Sequence, residues 1–64
     1  MKHSPYIIIF LNGDEDTFYA GSLLGAFCAA TFYMNNKGRD SRIKSIEDEF
    51  GTVYTEFSFT YKTI

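Results

Sequence analysis

The chain is poor in the side chains that carry out chemistry: among its 64 residues there is one cysteine, Cys28, and one histidine, His3. A lone cysteine excludes an intramolecular disulfide, and with it the small secreted scaffold in which bridges replace a core. A lone histidine leaves no histidine-based acid–base pair, and His3 stands ahead of Pro5, where solvent exposure is the expected state. Cys28 has no base near it on the helix expected around it, so a buried or interface thiol is expected rather than a nucleophile. The glycines Gly13, Gly21, Gly25, Gly38 and Gly51 match no phosphate-binding loop. A non-enzymatic protein without a cofactor is the expectation.

Positive charge is also scarce, since six basic residues against eight acidic ones leave a formal net charge of −2. Such a chain has no general attraction for nucleic acid and is not acidic enough to imitate one. The charges nevertheless fall in short blocks. Asp14, Glu15 and Asp16 form one acidic block and Glu47, Asp48 and Glu49 another, while Lys37, Arg39, Arg42 and Lys44 supply most of the basic charge. The first acidic block lacks the spaced ligands of a calcium loop and reads as a solvated turn, so no metal is expected. The four bases border an aromatic sheet, the combination that single strands use, and are the candidate nucleic-acid-binding residues. Neutralisation by the Asp14–Asp16 turn at the same end of the fold is the expected counterweight.

No secretion signal is recognisable, because the apolar run from Tyr6 to Leu11 is shorter than a signal core and is followed by Asn-Gly-Asp-Glu-Asp. Thr17 to Asn36 carries no charged residue and approaches the ~20 residues of a bilayer-spanning helix. Tyrosine, serine, threonine and glycine interrupt that segment, and the alternating chain after it reads as half of a globular sheet. A cytoplasmic location follows as the expectation, with a membrane the disfavoured alternative.

What the chain has in quantity is aromatic residues, seven phenylalanines and five tyrosines. A domain this small buries only about 60% of its surface, so rings that each remove roughly 150 to 250 Å² from water are the expected main stabiliser. Tyr6 to Leu11, rich in isoleucine and bounded by Pro5 and Asn12-Gly13, reads as a central strand covered on both faces. Asn12-Gly13 and the acids after it supply a turn, and Thr17 to Ala20 reads as a short returning strand. A helix follows to about Asn35, capped by Ser22 or, in the alternative, by Asp14 or Asp16. Asn35-Asn36-Lys37-Gly38 is the stop.

Asp48-Glu49-Phe50-Gly51-Thr52 fits a type I turn closed by a glycine bulge. That turn sets Ile43 opposite Phe57, Lys44 opposite Glu56, Ile46 opposite Tyr54 and Glu47 opposite Val53. A rival reading makes 41–50 a second helix, because Ile43, Ile46 and Phe50 share a helical spacing. The favoured whole is an α+β fold, a single ββαββ domain over 1–64: a four-stranded antiparallel sheet in the order 2-1-3-4 with one helix packed on one face. In this arrangement Leu23, Ala26, Phe27, Ala30 and Met34 cover a sheet face bearing Val53, Phe57, Phe59 and Tyr61.

Two apolar surpluses remain, and both are candidate protein-binding surfaces. The outer helix face carries Leu24, Gly25, Cys28, Ala29 and Phe32. The open sheet face carries apolar side chains of the first strand beside Ile46 and Tyr54. Gly21, Gly25 and Ala29 recur every four residues, a small-residue ridge that suits close approach of a second helix and hence a homodimer.

The pattern of Phe18, Ala20, Ser22, Leu23, Ala26 and Ala30, followed by Arg42, Ile43, Ser45, Ile46, Asp48, Gly51, Val53 and Tyr54, resembles that of small bacteriophage-encoded accessory proteins. The resemblance covers about residues 18–54. Such proteins commonly act by binding a host protein, as phage inhibitors of bacterial RNA polymerase and anti-CRISPR proteins do. They share no contact motif, so the resemblance assigns no site residue. It implies a small protein-binding module that modulates a bacterial host factor by steric occlusion. A homo-oligomeric structural protein and a nucleic-acid binder are the alternatives.

Overall fold

The computed structural model describes residues 3–57. Its centre is β1 (Ser4–Phe10), whose isoleucine run is hydrogen-bonded on both sides. At Asn12-Gly13 the chain turns sharply: Gly13 adopts φ +96°, its amide donates to the Phe10 carbonyl at 2.9 Å, and the Phe10 amide donates to the Asp14 carbonyl at 2.8 Å. The Asp14 amide in turn donates to Asn12 Oδ1 at 2.8 Å, the side-chain mimicry that favours asparagine in turns. The returning strand β2 (Glu15–Ala20) begins two residues earlier than its composition suggests, because pairing with β1 continues to Ile9 opposite Glu15.

Helix α1 (Leu23–Asn36) starts at the Ser22 cap, whose Oγ accepts the Gly25 amide at 3.0 Å, and this excludes the earlier starts at Asp14 or Asp16. Its end is a Schellman arrangement: Gly38 at φ +71° lets its own amide reach the Asn35 carbonyl at 3.0 Å and the Arg39 amide the Met34 carbonyl at 2.9 Å. Beyond it, 43–47 form a strand and not a helix. β3 (Ile43–Glu47) pairs antiparallel with β1, and β4 (Val53–Tyr54) pairs antiparallel with β3. The turn between them is the expected one, with Gly51 at φ +87°, its amide on the Asp48 carbonyl at 3.1 Å, and Ile46 opposite Tyr54 and Glu47 opposite Val53; β4 ends at Tyr54, short of the expected pairs Lys44 with Glu56 and Ile43 with Phe57. The result is an α+β fold of ββαββ order, with sheet order β2-β1-β3-β4 and one helix.

The helix presents the residues its periodicity predicts: Ala26, Ala30 and Met34 are buried, with Leu23 and Phe27 packed beside them. The sheet face it covers differs from the expected one. Ile8 and Phe10 point toward the helix, and since Ile8 lies opposite Ile46, Ile46 joins them at 0% exposure instead of standing on the open face. Tyr54, opposite Ile46, shares that side and is half-buried. Val53 therefore faces away from the helix and is 57% exposed. Phe57 still reaches the helix side, its ring 5.2 Å from that of Phe27, because the chain has left the β4 ladder by then. Phe59 and Tyr61 lie outside the described residues.

A bulge in β3 explains a second departure. The pairing with β1 passes from Ile9 opposite Ser45 to Phe10 opposite Ile43, which leaves Lys44 as the extra residue. In an unbroken strand Ile43 and Ile46 would lie on opposite faces. The bulge turns both toward the helix, where Ile43 packs against the core.

Candidate protein-binding surfaces

All fourteen residues of α1, LLGAFCAATFYMNN, are uncharged. A helix on a globular surface ordinarily clothes its outer side in charged residues. Here Leu24, Cys28 and Phe32, spaced by one turn each, form an outward stripe, with Leu24 at 47% and Phe32 at 67% exposure. Ala29 is exposed beside them. Gly25 is different: it is half-buried, and a β-carbon there would stand 3.5 Å from that of Ala20 and 3.3 Å from Ser22 Oγ. It serves the close approach of the helix start to β2, so the ridge of Gly21, Gly25 and Ala29 is not one continuous outer surface.

The open sheet face is more mixed than the sequence pattern suggests. Cross-strand rows place Ile7 between Thr17 and Glu47, with Val53 beyond, and Ile9 between Glu15 and Ser45. Tyr19, opposite Pro5 at the other end, is 68% exposed. Acidic side chains thus interrupt the isoleucines, and the candidates Ile46 and Tyr54 belong to the opposite face. Tyr19 and Val53 were missed because hairpin register shows which residues share a face, while only the helix decides which face is covered.

The four candidate nucleic-acid contacts are dispersed, and most are engaged. Arg39 meets Asp14 at 3.1 Å, the neutralisation expected between this end of the helix and the first turn. Arg42 grips Asp40 through Nε and Nη2, the latter at 2.6 Å. Lys37 Nζ lies over the Tyr33 ring, 5.1 Å from its centre, a cation–π arrangement. Lys44 projects from the bulge and is exposed.

Two hollows flank the helix. One of about 270 Å³ lies between its C-terminal end and the first turn, where Asp14, Glu15 and Asp16 meet Lys37 and Arg39. The other, of about 330 Å³, lies on the opposite flank among Phe27, Thr31, Arg42, Ile43 and Phe57. Among the described residues no group of histidine, cysteine, aspartate and glutamate side chains is arranged to hold a metal. No helix among them is long and apolar enough to cross a membrane.

Asp48 organises the hairpin: its carboxylate accepts the amides of Phe50 and Thr52, each at 2.9 Å, and the Tyr54 hydroxyl at 3.2 Å. Desolvation pushes its ionisation upward, but the bonds from Thr52, Phe50 and Tyr54 outweigh it and hold the carboxyl below its ordinary 3.8. The same bond to Asp48, followed by desolvation, raises the Tyr54 phenol above the usual tyrosine range. Asp40 is depressed to about 2, first by the side-chain bond from Arg42 and then by the Arg42 amide. A carboxyl whose folded value is lowered stabilises the fold above its unfolded value, and that stabilisation is lost as pH falls through the folded one. Melting temperature should therefore decline on acidification below about pH 4, and the decline should be shallower in Asp40→Asn and in Asp48→Asn. Identical slopes in wild type and both variants would refute the assignment.

The fold and these surfaces define a small α+β protein with an uncharged helix exposed on its outer side. No protein-family model, curated protein or solved structure matches the chain.

Proposed function

We propose that this protein is a non-enzymatic protein-binding module that acts by covering a surface of its target, as phage-type modulators of bacterial host factors do. The observation that carries the reading is the outer face of α1, where Leu24, Cys28 and Phe32 line up in water without a charged residue anywhere on the helix. Contiguous exposed apolar surface of this kind marks protein contact sites. The sequence resemblance to phage accessory proteins supports a bacterial host protein as the target and the cytoplasm as the place of action. Engagement of Arg39, Arg42 and Lys37 with their own neighbours favours a protein target over a nucleic acid.

The test is retention of proteins from a bacterial lysate on the immobilised chain, with Leu24→Asp and Phe32→Asp as variants whose fold is checked by circular dichroism. Each should weaken capture of the specific partner by about 30-fold, the effect of removing a ~2 kcal/mol anchor. Equal capture by wild type and both folded variants would remove the helix face from the proposal.

A further inference from the structure

The two edges of the sheet are unlike each other. Among the described residues, β4 on one side pairs through two residues, whereas on the other β2 is a six-residue strand hydrogen-bonded to β1 alone. Proteins blunt such edges with charged side chains, lysine above all, with proline or with a bulge. β2, with the sequence EDTFYA and unbroken pairing to β1, has no lysine, proline or bulge, and its two charges, Glu15 and Asp16, stand together at one end of the strand.

Its free groups can be assigned. Antiparallel partners alternate between pairs that exchange hydrogen bonds and pairs that do not. Phe10 bonds to Asp14, so Asp16, Phe18 and Ala20 turn their backbone groups toward β1 in the same phase. Glu15, Thr17 and Tyr19 then turn theirs outward. The Thr17 amide agrees with this phase, since it donates not to β1 but to the carboxylate of its neighbour Asp16, at 2.9 Å.

We propose that this edge pairs with the same edge of a second copy of the chain, β2 antiparallel to β2 about a two-fold axis at Thr17. The strand is self-complementary in that register. Glu15 falls opposite Tyr19 of the second copy, where the exposed phenol can donate to the carboxylate; Asp16 falls opposite Phe18, and Thr17 opposite Thr17. No like charges meet. A two-residue slip in one direction sets Asp16 against Asp16, and in the other it leaves Glu15 opposite Gly21, outside the strand. The Thr17 amide passes from Asp16 to the Thr17 carbonyl of the second copy. The helices permit the union as well. α1 packs against β2 as well as β1 and β3, with the Tyr33 ring 5.4 Å from that of Phe18, so joining the two β2 edges at a strand spacing of about 4.8 Å makes the two helices neighbours on one face of the continuous sheet. The flank carrying Tyr33 also carries the small, exposed Ala29 one turn earlier; the charged groups beside it are Lys37, over the Tyr33 ring, and Asp16, on the helix-facing side of β2, which are opposite in sign.

Sedimentation equilibrium of the full chain over a micromolar concentration series tests this. Wild type should dimerise reversibly. Thr17→Pro removes an outward amide at an edge position where proline is tolerated and should leave a monomer. Tyr19→Glu opposes two pairs of like charges and should weaken the dimer about 10-fold. Adding Glu15→Lys to Tyr19→Glu should restore it. Circular dichroism monitors the fold, and if Thr17→Pro does not fold, the charge swap decides. A wild-type chain that stays monomeric overturns the proposal, as does a dimer whose strength Tyr19→Glu leaves unchanged. The surface is separate from the outer helix face, so Leu24→Asp should dimerise as wild type does.

Discussion

Replacing Ile46 with alanine is expected to destabilise the protein by about 2–5 kcal/mol, whereas replacing Val53 with threonine should change stability by less than about 0.5 kcal/mol. Ile46 is wholly enclosed between β1 and the helix, among Ile8, Phe10, Ala26, Ala30 and Met34. Removing its side chain loses transfer free energy and leaves a cavity that a short sheet and one helix can close only in part. At roughly 0.05–0.15 kcal/mol per residue, a chain of 64 residues has about 3–10 kcal/mol of stability in total. Ile46→Ala should consequently be largely unfolded, or should melt far below wild type, by circular dichroism. Val53, on the open face of a two-residue strand, exchanges one β-branched side chain for another in contact with water. Equal losses in the two variants, or a greater loss for Val53→Thr, would contradict the assignment of the sheet faces.

The second large effect concerns the helix. Ala26 and Ala30 are both at 0% exposure, one turn apart on the line where α1 meets the sheet. Their small size sets how closely the helix lies on Ile8, Phe10 and Ile46. Ala30→Leu, which adds three carbons with no space to receive them, should cost about 1–3 kcal/mol or more through displaced rotamers and backbone. The same addition at Ala29, exposed one residue earlier, should fall within about 0.5 kcal/mol. Urea unfolding midpoints of the pair measure the difference. If both leucine variants unfold at the wild-type midpoint, the helix does not pack on the sheet as described.

These pairs mark the boundary of what the chain discloses locally. Helix periodicity over Leu23–Met34 identifies the buried alanines because 3.6 residues per turn leaves one phase in which small and apolar residues coincide. The Ser22 cap, the Gly38 stop and the Gly51 turn are legible for a similar reason. Each depends on backbone chemistry within a few residues, a side-chain oxygen for free amides or a glycine where φ must be positive. The same locality makes the outer stripe of Leu24, Cys28 and Phe32 visible before any tertiary contact is known.

The sheet faces were not legible in this way. Val53 and Ile46 are both apolar and both β-branched, and in the hairpin they alternate equally well. β1 is apolar on both sides, so its own pattern offers no preference. Assigning Val53 to the core and Ile46 to the open face honours every local rule and is wrong. The Lys44 bulge adds to the difficulty, because it breaks the period of two between Ile43 and Ile46 without a glycine or proline to announce it.

The sequence alone pointed to the favoured ββαββ order, the strand order 2-1-3-4, the hairpin turn with its two nearest pairs and the inward phase of the helix, since these follow from short-range periodicity and turn chemistry. Tertiary structure decided which side of the sheet the helix covers, that Ile43 and Ile46 share it, and that Gly25 serves contact with Ala20. Those features depend on contacts between residues far apart in the chain. There, two arrangements with equally good local chemistry are separated only by how completely one helix can close over one face.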